Sequence, residues 1–305
     1  MITKSFQAMG SKIFIALDIP ENTSVSLFDQ VPQWFVEWEA LLSRFLPGSE
    51  LNRLNQQHNA WNPVSNVLWD VLQCARDAYT LSNGLVNTAM LKAIEKIGYT
   101  QDFSTLPDKV QNKDLVIENQ TNFGFEKIQF DLSRQSVNLP SGCSLDLGGI
   151  AKGWAAQQAM LRLSRIAPSL INAGGDIAIS SEQLSGDPWL IGVTNPLNPE
   201  IHLQVLQVKS GGVATSGKDY HKWQTNGKWV HHILDPRTGQ PAQTDMLTAT
   251  ILAPSVLEAE TAAKTTFILG SVGGRQWLKS HPEFTGLFIL DDKTIITNEK
   301  MHALI

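Results

Sequence analysis

The segment Leu145-Asp-Leu-Gly-Gly-Ile-Ala-Lys-Gly153 concentrates more chemistry than any other stretch of the 305-residue chain. An acid leaves an extended stretch, two glycines permit close backbone approach, and Lys152 falls in the first turn of the following helix. Free N–H groups at a helix start, with a cation beside them, suit a phosphate. The glycine spacing matches neither a Walker A loop nor a dinucleotide fingerprint. Local chemistry therefore serves a phosphate site and a plain strand-to-helix connection capped by Asp146 equally well. Asn172-Ala-Gly-Gly-Asp176 is a second glycine turn with an acid, and Gly211 to Gly217 reads as a third glycine-rich loop carrying Thr215 and Ser216. In Val230-His-His-Ile-Leu-Asp-Pro-Arg-Thr-Gly239, alternation sends the two imidazoles to opposite faces, so one of them at most faces a given pocket. Histidine is the side chain best placed to move protons near neutral pH. His-His without a third ligand at helical spacing does not match a zinc site. Lastly, Glu260 and Lys264 stand four residues apart on one helix face, an orientation worth roughly 0.2–0.5 kcal/mol when exposed. The small residues Ala259, Ala262 and Ala263 around them predict close packing against another backbone.

These groups need a scaffold of strands, turns and helices. A strand is predicted over Ile13 to Ile19. Apolar residues then recur at three- and four-residue steps from Val25 to Leu42, one helical face with Pro32 near its start. A second helical run, Val67 to Tyr79, follows a Ser65-Asn66 cap and stops at Asn83-Gly84. A polar stretch from about Thr100 to Asn122 precedes Ile128 to Leu132, which alternates like a half-buried strand and is closed by an Asn138 to Gly142 turn. Strand Ser144 to Leu147, a Gly148-Gly149 turn, a helix from about Ile150 to Arg165, strand Ser169 to Asn172 and a Gly174-Gly175 turn follow. Further strands are expected over Trp189 to Val193, Leu203 to Val208 and Leu247 to Leu252. A helix over Val256 to Leu269 closes at Gly270, and Phe284 to Leu290 with Thr294 to Thr297 form a terminal hairpin. No repeat, low-complexity tract or long linker divides the chain. We expect one large α+β unit, with two intimately packed α+β subdomains as the alternative.

Composition excludes more than it assigns. With 24 basic and 29 acidic residues, a net charge of −5 and no long basic run, the chain lacks the electrostatic footprint of a nucleic-acid binder. Cys74 and Cys143 lie too far apart in sequence for a redox or metal motif and read as small buried hydrophobes. No window approaches the twenty or so apolar residues that cross a bilayer. No secretory signal or lipid-anchoring Cys is visible, so a cytoplasmic protein is expected.

Taken in order, Ala8-Met9-Gly10, Leu42-Ser-Arg-Phe-Leu-Pro-Gly-Ser-Glu-Leu-Asn-Arg-Leu-Asn55, Asp146 to Gly153, Asn172 to Asp176, Ala214-Thr-Ser-Gly217, His231 to Gly239 and Ala259-Glu260 through Gly270 resemble the FAD:protein FMN transferase family, the ApbE-type flavin transferases. The resemblance implies an ApbE-like domain spanning residues 1–305, with FAD in a cleft, lying between the subdomains if there are two. The FMN portion passes through phosphorus to a Thr or Ser hydroxyl of a target protein, releasing AMP with Mg²⁺ assistance. It further implies that Met9 and Phe45 border the flavin, that Leu85, Val86, Asn87 and Leu234 line the pocket, and that Asp146, Lys152, Thr215, Ser216 and Lys264 contact FAD. His232, directly before Ile-Leu-Asp-Pro, is the implied proton acceptor, and Gly149 with Glu260 the implied metal ligands.

Two departures qualify the resemblance. The family's late helix reads Ala-Asp with a Thr four residues on, where this chain has Glu260 and Lys264. A protonated lysine has no lone pair for Mg²⁺; either the metal moves or Lys264 acts as a point cation on the phosphates. The usual Phe-Asp-Pro-Thr block appears as Val86-Asn-Thr-Ala89, with Asn in place of an acid. Two other outcomes fit the same pocket: a protein that holds FAD without transferring it, and an FAD pyrophosphatase with water replacing the hydroxyl.

Overall fold

Alternation of apolar and polar residues begins before Ile13. In the computed structural model, β1 (Ile2–Ala8) and β2 (Ser11–Leu17) pair antiparallel around Met9 and Gly10. Both turn residues have positive φ, 51° and 66°, as this tight two-residue hairpin turn requires. The structure describes residues 1–107, 109–110, 124–218 and 222–304. Of the polar stretch expected from about Thr100 to Asn122, residues 108 and 111–122 lie outside the described residues.

The chain packs as two units, one formed by Met1–Phe35, Lys152–Tyr220 and Gln243–Ile305, the other by Val36–Ala151 and His221–Ala242. The first holds an eight-stranded sheet in which β1 and β2 are followed by β3 (Ser169–Ala173), β4 (Asp176–Ile179), β5 (Gly211–Gly217), β6 (Met246–Ala253), β7 (Thr285–Leu290) and β8 (Ile295–Thr297). Spatial order follows chain order and every neighbouring pair is antiparallel. Side chains alternate between faces. Ile177, Val213, Leu252, Leu287 and Ile289 join Trp189, Ile191, Leu206 and Val208 of the Trp189–Asn195/Asn198–Val208 hairpin in one buried core. Toward the opposite face, positions 212 and 286 are glycine because the helix Val256–Ser280 lies directly on them. A Cβ on Gly286 would come 2.5 Å from Leu278 Cδ1, and one on Gly212 would overlap the backbone of Val256.

In the second unit, the helix Asn66–Leu81 is capped by Ser65, whose hydroxyl accepts from Leu68 N–H, and it buries Leu68, Val71, Leu72, Ala75 and Ala78. Trp223 and Thr225, on the short strand Lys222–Thr225, both donate to the Ile97 carbonyl, at 2.9 and 2.6 Å.

The α+β expectation holds, with local corrections. The first helix starts at Ser26, so Pro32 lies seven residues in and occupies its interior. Among the described residues Ser144–Leu147 belongs to no strand of a sheet: Ser144 makes an isolated parallel bridge with Met90, Asp146 N–H donates to the Thr88 carbonyl, and on Leu145 the Asn55 side chain accepts from the N–H and donates to the carbonyl. The strand at Gln129–Asp131 returns as Ser136–Asn138 through a turn at 132–135, and the turn expected within Asn138 to Gly142 follows, closed by Cys143 N–H donating to the Pro140 carbonyl. The late helix breaks at Gly270, as expected, where the backbone leaves the helical region. It bends there, at φ 74°, and restarts because Asp245 accepts from both Ser271 N–H and the Ser271 hydroxyl. No described helix is long and apolar enough to cross a membrane.

Candidate functional site

The first unit gathers four charged side chains from three elements. Lys152 follows the first residue of the helix Ala151–Leu163, Asp176 opens β4, and Glu260 and Lys264 lie one turn apart on Val256–Ser280. Gly174 and Gly175, with φ of 66° and 102°, turn β3 tightly into β4 and so hold Asp176 at the strand start. Lys264 Nζ donates to Glu260 Oε1 at 2.6 Å, and Lys152 Nζ lies 3.8 Å from Asp176 Oδ2. Glu260 is 2% exposed, and among the described residues its Oε2 has no hydrogen-bond partner. Gly153 supplies the room: a Cβ there would run into that same Oε2. Burial, followed by the negative charge of Glu260, pushes the Asp176 carboxyl up to about 7, although Lys152 and Lys264 pull the other way. For this group desolvation outweighs two nearby cations.

The second unit organises a different set. The Arg44 guanidinium lies 4.1 Å from the Phe45 ring centroid and 4.7 Å from that of Tyr99, and donates to the Tyr99 carbonyl at 2.8 Å. Its Nε is 3.4 Å from Asp146 Oδ2. Asp146 Oδ1 in turn accepts from Gly148 N–H at 2.9 Å, so the carboxylate shapes the Gly148-Gly149 turn ahead of the helix. Burial pushes the Tyr99 hydroxyl up to about 12. His231, at the end of the strand Lys228–His231, is buried with Nε2 3.1 Å from the Ala242 carbonyl, whereas His232 is only partly buried. The two histidines thus differ in burial, and His232 lies just past the strand's end. Leu234 is buried opposite Pro241, and Gly239, with φ 70°, closes the turn that Asp235 and Arg237 brace with a two-pronged ion pair.

Of the expected site residues, the structure therefore brings Lys152, Glu260 and Lys264 together in one unit, and Phe45 and Asp146 together through Arg44 in the other. Met9 stands in the β1–β2 turn. Leu85 and Asn87 are partly buried and Val86 is buried; the Asn87 side-chain oxygen is engaged by Ala89 N–H at 2.9 Å. Thr215 and Ser216 are not in a loop. They lie in β5, paired with β6, and Thr215 Oγ1 stands 2.9 Å from Thr250 Oγ1. Gly149 lies in the turn before Ala151, and its side of the expected metal site gains no cluster: among the described residues no three His, Cys, Asp or Glu side chains gather as metal ligands. Sequence reasoning missed Arg44 and Asp176 as site residues. Both stand inside recognised blocks, Ser43-Arg44-Phe45 and Gly174-Gly175-Asp176, where a charge beside an aromatic or a glycine turn was the available signal.

The sequence model of the ApbE family matches residues 9–288. An FAD:protein FMN transferase of Klebsiella pneumoniae is 27% identical over 297 residues, covering 94% of this chain and 89% of that one. One from Haemophilus influenzae is 25% identical over 258 residues, 81% of this chain and 74% of its own. The crystal structure of an ApbE protein from Thermotoga maritima shares the fold, with a TM-score of 0.86, 24% identity and 99% and 98% of the two chains covered.

Proposed function

The chain belongs to the ApbE family, and from that premise we propose that it is an FAD:protein FMN transferase. The observation that carries this reading is the family match from residue 9 to residue 288, which takes in the glycine turns, the His-His block and the late helix in one ordered series. In the proposed reaction a Thr or Ser hydroxyl of an acceptor protein attacks the phosphorus that bears FMN. The new O–P ester forms as the P–O bond to the AMP phosphate breaks, and AMP leaves with that electron pair. The hydroxyl proton passes to His232, for which partial exposure speaks, since His231 is buried against the Ala242 carbonyl.

The remaining roles follow chemistry available at each position. Lys152, at a helix start, supplies positive charge for the diphosphate. Asp146 positions the Gly148-Gly149 backbone, and Arg44 with Phe45 and Tyr99 offers flat surfaces of the kind an isoalloxazine ring stacks on. Met9, Leu85, Val86, Asn87 and Leu234 supply pocket lining, and Thr215 and Ser216 supply hydroxyls. A cytoplasmic location belongs to the same proposal. Mg²⁺ does not fit the residues present: Glu260 Oε1 already holds the Lys264 ammonium, and no third acidic or histidine ligand joins Glu260 and Asp176 among the described residues. No step here is routed through a metal.

Incubation with FAD and a Thr-bearing acceptor domain, read by mass spectrometry, tests the reading. Covalent FMN on the acceptor with one AMP released supports transfer. AMP with free FMN indicates hydrolysis, and intact bound FAD indicates holding; either outcome rejects it. His232→Ala is expected to lower the transfer rate by about 10²–10⁴-fold, the usual share of a general base, with FAD affinity little changed.

A further inference from the structure

Resting on the transferase reading, we propose that Lys264 is a built-in cation: its ammonium group occupies the place beside the buried carboxylates Glu260 and Asp176 that a divalent ion would otherwise take, so the chain engages a diphosphate without a metal there. Three observations carry this. First, Glu260 is almost completely buried, and Lys264 Nζ sits 2.6 Å from its Oε1. A divalent ion bound to that oxygen would stand against the ammonium, and like charges at such range repel strongly in a buried setting. Second, both lysines lie against the buried carboxylates, Lys152 Nζ 3.8 Å from Asp176 Oδ2 and Lys264 Nζ 2.6 Å from Glu260 Oε1. Third, Glu260 Oε2 is buried with no hydrogen-bond partner among the described residues, and it lies where a Cβ on residue 153 would be. One carboxylate oxygen is thus committed to lysine, which leaves Glu260 a poorer ligand for the near-octahedral shell that Mg²⁺ demands. Side chains four apart on a helix meet because each points back toward the N-terminus, so Lys264 reaches Glu260 without leaving its own element.

Electron paramagnetic resonance titration of the free protein with Mn²⁺ reads the site directly, without FAD. The unmodified protein is expected to show no tight Mn²⁺ site, and Lys264→Thr to gain one at least about tenfold tighter. In parallel, flavin fluorescence measures FAD binding in chelator and in Mg²⁺. The unmodified protein should bind equally in both, whereas Lys264→Thr should weaken at least about tenfold in chelator and recover in Mg²⁺. Tight Mn²⁺ binding by the unmodified protein, loss of its FAD binding in chelator, or failure of Lys264→Thr to gain Mn²⁺ each overturns the proposal. If Lys264→Thr does not fold, Lys264→Gln replaces it, and both arms on the unmodified protein still decide. Absence of FAD binding in either buffer would sink the transferase reading instead, leaving the Mn²⁺ comparison to judge Lys264 by itself.

Discussion

Glu260 is the residue on which local energetics turn. Its carboxylate is buried, paired with Lys264 on one side and pressed toward Gly153 on the other. Glu260→Ala would remove the buried carboxylate that holds the Lys264 ammonium, which costs up to about 3–5 kcal/mol for a buried pair broken on one side. Urea unfolding measures it, and Glu260→Gln, which keeps the volume and an acceptor oxygen, should lose less. Gly153→Ala drives a methyl into Glu260 Oε2 and is expected to destabilise by about 1–3 kcal/mol in the same experiment. Asp176 gives a pH signature. Folding raises its carboxyl from the ordinary value near 4 to about 7, so the folded state holds the proton more tightly than the unfolded state. Its contribution is therefore fully present at low pH and is lost as pH rises toward 7, with a slope of at most about 1.4 kcal/mol per pH unit. Asp176→Asn should flatten that part of the stability curve, and an unchanged slope would refute the assignment. The Glu260–Lys264 pair was legible in the sequence because four-residue spacing alone makes neighbours. Their burial beside Lys152 and Asp176 was not, since three elements far apart in the chain supply them.

At the scale of elements, glycine was the residue most easily misread. Gly211 to Gly217 looks like a loop by composition, yet it is β5 in the interior of the sheet. Its glycines answer to packing: the helix start at Val256 occupies the space a Cβ on Gly212 would need. Gly212→Ala is accordingly expected to cost about 3 kcal/mol or more, at the upper end of overpacking, read by thermal or urea unfolding. Gly270 reads as a break and is one, and a second helical run follows it. The restart depends on Asp245, 26 residues away, accepting from Ser271. No local pattern reveals so distant a cap. Asp245→Ala should cost about 1 kcal/mol, the ordinary value of a lost N-cap. The helix capped by Ser65 was legible because periodicity, cap and stop signal all agreed. Ser144–Leu147 has the apolar pattern of a strand, but among the described residues only a single bridge to Met90 and the bond from Asp146 N–H to Thr88 pair it with another backbone, and the Asn55 side chain takes both backbone groups of Leu145.

Across the whole molecule, a net charge of −5 leaves no long-range attraction for an anionic ligand. Under the proposed function, recognition of a diphosphate then falls to local cations, chiefly Lys152 and Lys264, which is why position 264 weighs so heavily. The ordered blocks from Met9 to Gly270 were enough to point to the family, and the match over residues 9–288 agrees with them. What the blocks could not reveal is which of their charges are spoken for by neighbours, because ion pairing is set by packing and not by order along the chain. The most direct measurement for the whole account is mass spectrometry of a Thr-bearing acceptor domain after incubation with this protein and FAD. The account predicts an acceptor heavier by one FMN less one water, with one AMP released for each flavin attached. An unmodified acceptor alongside intact FAD, or alongside free FMN and AMP, would contradict it.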